Sequence, residues 1–100
     1  LIKHLLEKKI GHWDVNVREL TAQALHKLTA IAPERMLSDA LPNLLDNIKG
    51  VDLYLKHGTI LAVGEIVFGL AGYAKDQGKT LDDILGNARK ALLIFLMFLN

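Results

Sequence analysis

Four histidines, His4, His12, His26 and His57, are the side chains in this 100-residue sequence best suited to proton transfer or metal ligation. A zinc site of the helical kind needs two histidines one turn apart with a glutamate beside the first, and a general base needs a carboxylate or a nucleophile on the same turn. Neither spacing occurs. The four therefore read as surface or packing histidines, and His57, next to Gly58 near a helix start, is placed for a backbone or partner contact. Gly58, Gly64, Gly69 and Gly72 could suggest a phosphate cradle, but such loops group their glycines ahead of a helix, and these fall inside one at other spacings. Each would weaken an exposed helix by about 1 kcal/mol, so close packing is the expected reason for them. No catalytic residue, no cofactor site and no metal site is expected, and the chain does not read as an enzyme.

Three further groups of residues invite a role. Asp14, Arg18, Asp52 and Lys56 repeat an acid followed four residues later by a base. They could form a charge ladder between stacked repeats, with Arg18 within about 4 Å of Asp52, since an arginine spans the 8–10 Å between neighbouring helix axes. Alternatively, each aspartate only caps its own helix and pairs locally for about 0.3–0.5 kcal/mol. Trp13 is expected to plug the space between helices, with anchoring of a partner as the alternative. Glu65 stands among Ile60, Leu61, Val63, Ile66 and Val67, so it either escapes to the polar side or is buried with a partner.

Composition bounds what these residues can serve. With 51% hydrophobic residues the chain is rich enough to fold, and 12 basic against 11 acidic side chains leave a net charge of +1 with no block of like charge. Neither nucleic acid nor a membrane is implied as a partner. No cysteine is present, which removes disulfides and thiolate zinc ligands. The sequence begins at Leu1, and Lys3, Glu7, Lys8 and Lys9 are too polar for the core of a signal peptide, so it reads as part of something longer. The apolar run Ala91–Leu99 is far shorter than the roughly 20 residues of a membrane span.

Helical periodicity runs throughout. Ile2, Leu5, Leu6 and Ile10 share a face before Gly11. Asp14 caps a helix with Val17, Leu20, Ala24, Leu25, Leu28 and Ile31 at three- and four-residue spacing, ending at Pro33. Ser38 or Asp39 is expected to cap a third helix with Pro42 in its first turn and Leu41, Leu44, Leu45 and Ile48 as its stripe, up to Gly50. Asp52 opens a fourth, from Leu53 to Tyr73, and a loop over 75–79 leads to the Thr80–Asp83 capping-box spacing of a fifth. Leu20, Leu25, Leu28, Leu44, Leu45, Leu61 and Ile66 are the expected core. No strand pattern occurs.

The second and fourth helices repeat each other at an interval of 38: Asp14 with Asp52, Val17 with Leu55, Arg18 with Lys56, Thr21 with Thr59, Ala24 with Ala62, Leu25 with Val63, Leu28 with Ile66. A two-helix unit of about this length lies in the HEAT or armadillo range, and Asp followed by Val-Arg, small residues and leucines matches the second helix of a HEAT unit. The predicted fold is an all-α, HEAT-type α-α superhelix, a right-handed solenoid of about two and a half repeats: about 1–32, about 33–74 and a partial 75–100. Residues 14–32 and 52–73 should be parallel helices one repeat apart, with small residues such as Thr21, Ala24, Thr59 and Ala62 permitting close approach.

The run Lys9-Ile10-Gly11-His12-Trp13-Asp14, with Val17-Arg18-Glu19-Leu20 and Ala24-Leu25-His26, resembles the HEAT region of the tubulin-folding cofactor D family. Ala32-Pro33-Glu34, Leu41-Pro42, and His57-Gly58 followed by Ile60-Leu61-Ala62 and Glu65 are similar to the same family, and the resemblance covers about residues 1–86. The segment 87–100 departs from it, and its apolar run would be exposed unless a further repeat covered it. The resemblance implies a scaffold segment of a cytoplasmic chaperone of the microtubule cytoskeleton. That chaperone captures β-tubulin and, with other tubulin-folding cofactors, assembles and releases the αβ heterodimer. It also implies an Arf-like small GTPase as a partner, and stimulation of tubulin GTP hydrolysis that belongs to the assembled cofactor complex. The alternative is a HEAT scaffold of another system, a nuclear-transport receptor or a phosphatase scaffold subunit.

Overall fold

The computed structural model describes residues 1–98, the side chain of Phe98 excepted; Leu99 and Asn100, which close the expected partial repeat, lie outside the described residues. The described residues form helices joined by short turns, with no strand among them. Helix α1 starts as Ile2–His4 and widens into a π-type turn, Leu5–Lys9, in which the Ile10 amide donates to the Leu5 carbonyl at 3.0 Å. Helix α2 is Val15–Ile31; α3 runs as Pro33–Arg35, a second π-type turn Met36–Ala40, and Leu41–Asn47; α4 is Leu53–Asp76; α5 is Leu81–Leu85; α6 is Ala88–Phe98.

The caps of the long helices form as the sequence requires. Asp14 accepts from the Asn16 amide at 2.9 Å, and Asp52 from the amides of Tyr54 and Leu55 at 3.0 and 3.1 Å, each satisfying donors that a helix start leaves orphaned. Thr80 and Asp83 exchange side-chain and backbone bonds in a full capping box. Helix α4 continues to Asp76, three residues past the expected Tyr73, and ends where Gly78 turns to φ +68°. There the Lys79 amide reaches back to the Ala74 carbonyl and the Gly78 amide to Lys75, a paired closure that only a left-handed residue permits cheaply.

The third helix corrects the expected start. It begins at Pro33, whose fixed φ suits a first helical position, and neither Ser38 nor Asp39 caps it. Pro42 then lies inside a helical run, where its ring would crowd the carbonyl four residues back. The widened Met36–Ala40 turn just before it, closed by the Leu41 amide on the Met36 carbonyl, loosens the backbone at that point.

Helix α4 is the spine. It is long and apolar enough by length and composition to cross a membrane, yet Gly58, Thr59, Ala62, Val63, Ile66, Leu70 and Ala74 are buried against the helices beside it. Its most extensive packing is with α2, then with α3, and α6 leans on α3. The two long helices are parallel, because Arg18 meets His57 and His26 meets Glu65 across the same sequence separation of 39. The smallest extent, 18 Å, corresponds to two helix layers.

Leu25, Leu44 and Ile66 are fully buried as expected, and Leu28, Leu45 and Leu61 are partly buried against them. Leu20 is not core: it is 65% exposed. The buried face of α2 is Arg18, Thr21, Ala22, Leu25 and Thr29, turned away from the purely apolar stripe. Thr21 and Thr29 can be buried because each donates its hydroxyl to the carbonyl four residues back, Val17 and Leu25, at 2.6 and 2.7 Å. Gly58 lets α4 cross the end of α1, since a Cβ there would stand 1.8 Å from the Ile10 carbonyl oxygen. Gly69 faces Thr29 similarly, but Gly64 and Gly72 border open space, so close packing accounts for only two of the four helical glycines.

Candidate protein-interaction site

The N-terminal ends of α2 and α4 converge on Arg18. Its side chain is 7% exposed, and a cation so placed must be compensated by dipoles or counter-charge. Nη1 donates to the carbonyls of His12 and Trp13 at 2.8 and 2.9 Å, Nε donates to His57 Nδ1 at 3.0 Å, and the guanidinium carbon lies 5.2 Å from the Tyr54 ring centroid. Because Nε donates, His57 presents a lone pair at Nδ1; His12 does the same toward the Asp14 amide at 3.0 Å. One side chain thereby ties the α1–α2 turn to the first turns of both long helices.

The charge ladder is not formed. The ion pairs within 4.0 Å among the described residues are His26–Glu65, Arg35–Asp39, Lys49–Asp46 and Arg89–Asp82, and none joins Asp14, Arg18, Asp52 or Lys56. Asp52 sits at an exposed helix tip and is turned to its own amides, whereas Arg18 points into the seam, toward the carbonyls of the preceding turn. Both aspartates cap their own helices, but neither pairs with the base four residues on.

A second rung lies two helical turns on. His26 Nδ1 and Glu65 Oε2 are 2.8 Å apart, both about one-third exposed, and the His26 ring meets Phe68 edge-on at 5.1 Å. Glu65 therefore has a partner at the seam rather than an escape to the polar side. Its sequence signal was an acid and a base 39 residues apart, one more than the repeat interval of 38, because side chains across the seam meet one position out of step with the equivalent residues. The pairing of His26 with Glu65 was missed for that reason. Trp13 corrects another expectation: it is 71% exposed, leaning on the His12 ring at 5.2 Å, and fills no interhelical space. For His57 a backbone or partner contact was the expectation; within the chain its Nδ1 instead accepts from the Arg18 side chain.

Around this corner Trp13, Leu53 and Tyr54 are exposed, a cluster of large apolar side chains of the kind that anchors protein partners. Among the described residues no group of three or more histidine, cysteine, aspartate or glutamate side chains could hold a metal ion.

Over 70 residues, 70% of its length, the chain is 39% identical to tubulin-specific chaperone D of Dictyostelium discoideum. The chain is related to tubulin-specific chaperone D. It spans about 5% of the length of that relative. No family model matches the chain, and no solved structure matches it.

Proposed function

We propose that the chain is a protein-binding scaffold segment of a tubulin-folding chaperone, part of a HEAT-type right-handed solenoid that captures β-tubulin and helps assemble and release the αβ heterodimer. The observation that carries the reading is the 39% identity over 70 residues to tubulin-specific chaperone D. Two parallel long helices joined at equal separations support the repeat architecture, because stacked two-helix units set equivalent helices side by side. In this reading the segment works in the cytoplasm at the microtubule cytoskeleton, alongside other tubulin-folding cofactors and an Arf-like small GTPase. GTP hydrolysis by tubulin is stimulated by the assembled complex, and the segment contributes rigid surface to it.

The test is co-elution of the full chain with β-tubulin in size-exclusion chromatography. The expected result is a complex that Trp13→Ala weakens; a chain that folds but leaves β-tubulin entirely free overturns the reading.

A further inference from the structure

We propose that the Arg18 corner is a seat for a carboxylate side chain of a protein partner, an aspartate or glutamate flanked by an apolar residue. The inference deepens the scaffold reading, on which it rests, by naming the partner's chemistry. Arg18 is more than nine-tenths buried, and its Nε and Nη1 are committed to His57 and to the two turn carbonyls. Its Nη2 makes no hydrogen bond with the described residues, and no side-chain nitrogen among them is buried without a partner, so Nη2 is not sealed from solvent. Every bond the guanidinium makes is to a neutral acceptor, and no carboxylate of the described residues lies within 4.0 Å, so the charge is balanced by dipoles and the Tyr54 ring alone and has no counter-ion.

The surroundings favour an anion. The first turns of α2 and α4 start here, and helix N-termini carry partial positive charge. Lys56 and the imidazoles of His12 and His57 stand on the same segments. Asp14 and Asp52 oppose an incoming carboxylate, but both oxygens in use are engaged by their own helix amides. A guanidinium held by Nε and Nη1 is pre-organised, so a carboxylate on Nη2 gains a charge-assisted bond without ordering the arginine. Exposed Trp13, Leu53 and Tyr54 make the rim apolar and aromatic, which fits a folded or peptide partner better than a free anion.

The experiment uses the full chain and a labelled peptide alternating glutamate with leucine, followed by fluorescence anisotropy and by the Arg18 Nε–Hε NMR resonance. Binding should shift that resonance, weaken several-fold between about 50 and 200 mM salt, and fall about tenfold in Lys56→Glu, whose residue is partly buried and outside the core. Arg18→Gln should abolish the salt dependence; if that variant does not fold, Trp13→Ala and Lys56→Glu carry the test. An unmoved Arg18 resonance, equal binding by Lys56→Glu, or an equal shift with inorganic phosphate overturns the carboxylate seat. Loss of the peptide effect while β-tubulin still co-elutes sinks this proposal alone, and loss of β-tubulin with the peptide retained sinks only the tubulin reading.

Discussion

Gly58 and Gly64 sit six residues apart in one helix and should respond oppositely to the same methyl group. At Gly58 an alanine Cβ would meet backbone, 1.8 Å from the Ile10 oxygen, so Gly58→Ala should lose more than about 2 kcal/mol in urea denaturation as α1 is pushed off α4. At Gly64 nothing lies within 4 Å, and Gly64→Ala should gain about 0.5–1 kcal/mol from the lower entropy of the unfolded chain. The His26–Glu65 contact can be isolated by a double-mutant cycle with alanine at both positions. Its coupling should stay under about 1 kcal/mol, because both groups are partly solvated. The distinction between these glycines was not legible in the sequence, since both look like helix-weakening residues until the neighbouring backbone is in place. Arg18 was misread for a related reason: charge matching by repeat position ignores the carbonyls that a turn exposes to a buried guanidinium.

At the scale of the element, the caps were the most legible feature, because an aspartate or threonine binds amides only two or three residues away and needs no tertiary partner. Asp52→Ala should cost about 1 kcal/mol and fray the first turn of α4, read by hydrogen exchange at Tyr54 and Leu55. The hydrogen bonds from the Thr80 backbone and hydroxyl partner hold the Asp83 carboxyl below its ordinary value of 3.8, against a small opposing effect of desolvation, with Lys79 nearby assisting. A lowered folded-state value means that the capping box contributes fully above the unfolded value and is lost as pH falls through the folded one. The Thr80 amide resonance should therefore titrate below pH 3.8, and Thr80→Ala should move that midpoint upward. The buried face of α2 was legible only in part. Leu25 marked it correctly, but Leu20 pulled the expected stripe round the helix, because Thr21 and Thr29 bury themselves by bonding their own helix and carry no apolar signal.

For the whole molecule, the core is continuous from Ile2 in α1 to Phe95 in α6, and Leu25, fully buried, lies at its centre between the two long helices. Leu25→Ala should destabilise the fold by about 2–5 kcal/mol, whereas Leu20→Ser, at an exposed site, should change it by less than about 0.5 kcal/mol in the same denaturant titration. The repeat interval was visible in the sequence, so the side-by-side helices were too. What the interval could not supply was the one-residue offset of the contacts across the seam, which depends on how the side chains interdigitate. Nor could it foresee α6, where Leu92 and Phe95 turn inward while Leu93, Ile94, Leu96 and Met97 stay exposed beside an apolar groove of about 300 Å³ against α3.

The widened turn at Met36–Ala40 bears on the proline that follows it in α3. Removing one of its residues would restore ordinary winding with little change of phase, because the widened turn absorbs one extra residue, and it would bring Pro42 against an intact carbonyl row. Leu41, Leu44 and Ile48 would keep their place against α4, and the cost of a single codon deletion here would fall on the proline, whose ring would meet the carbonyl four residues back.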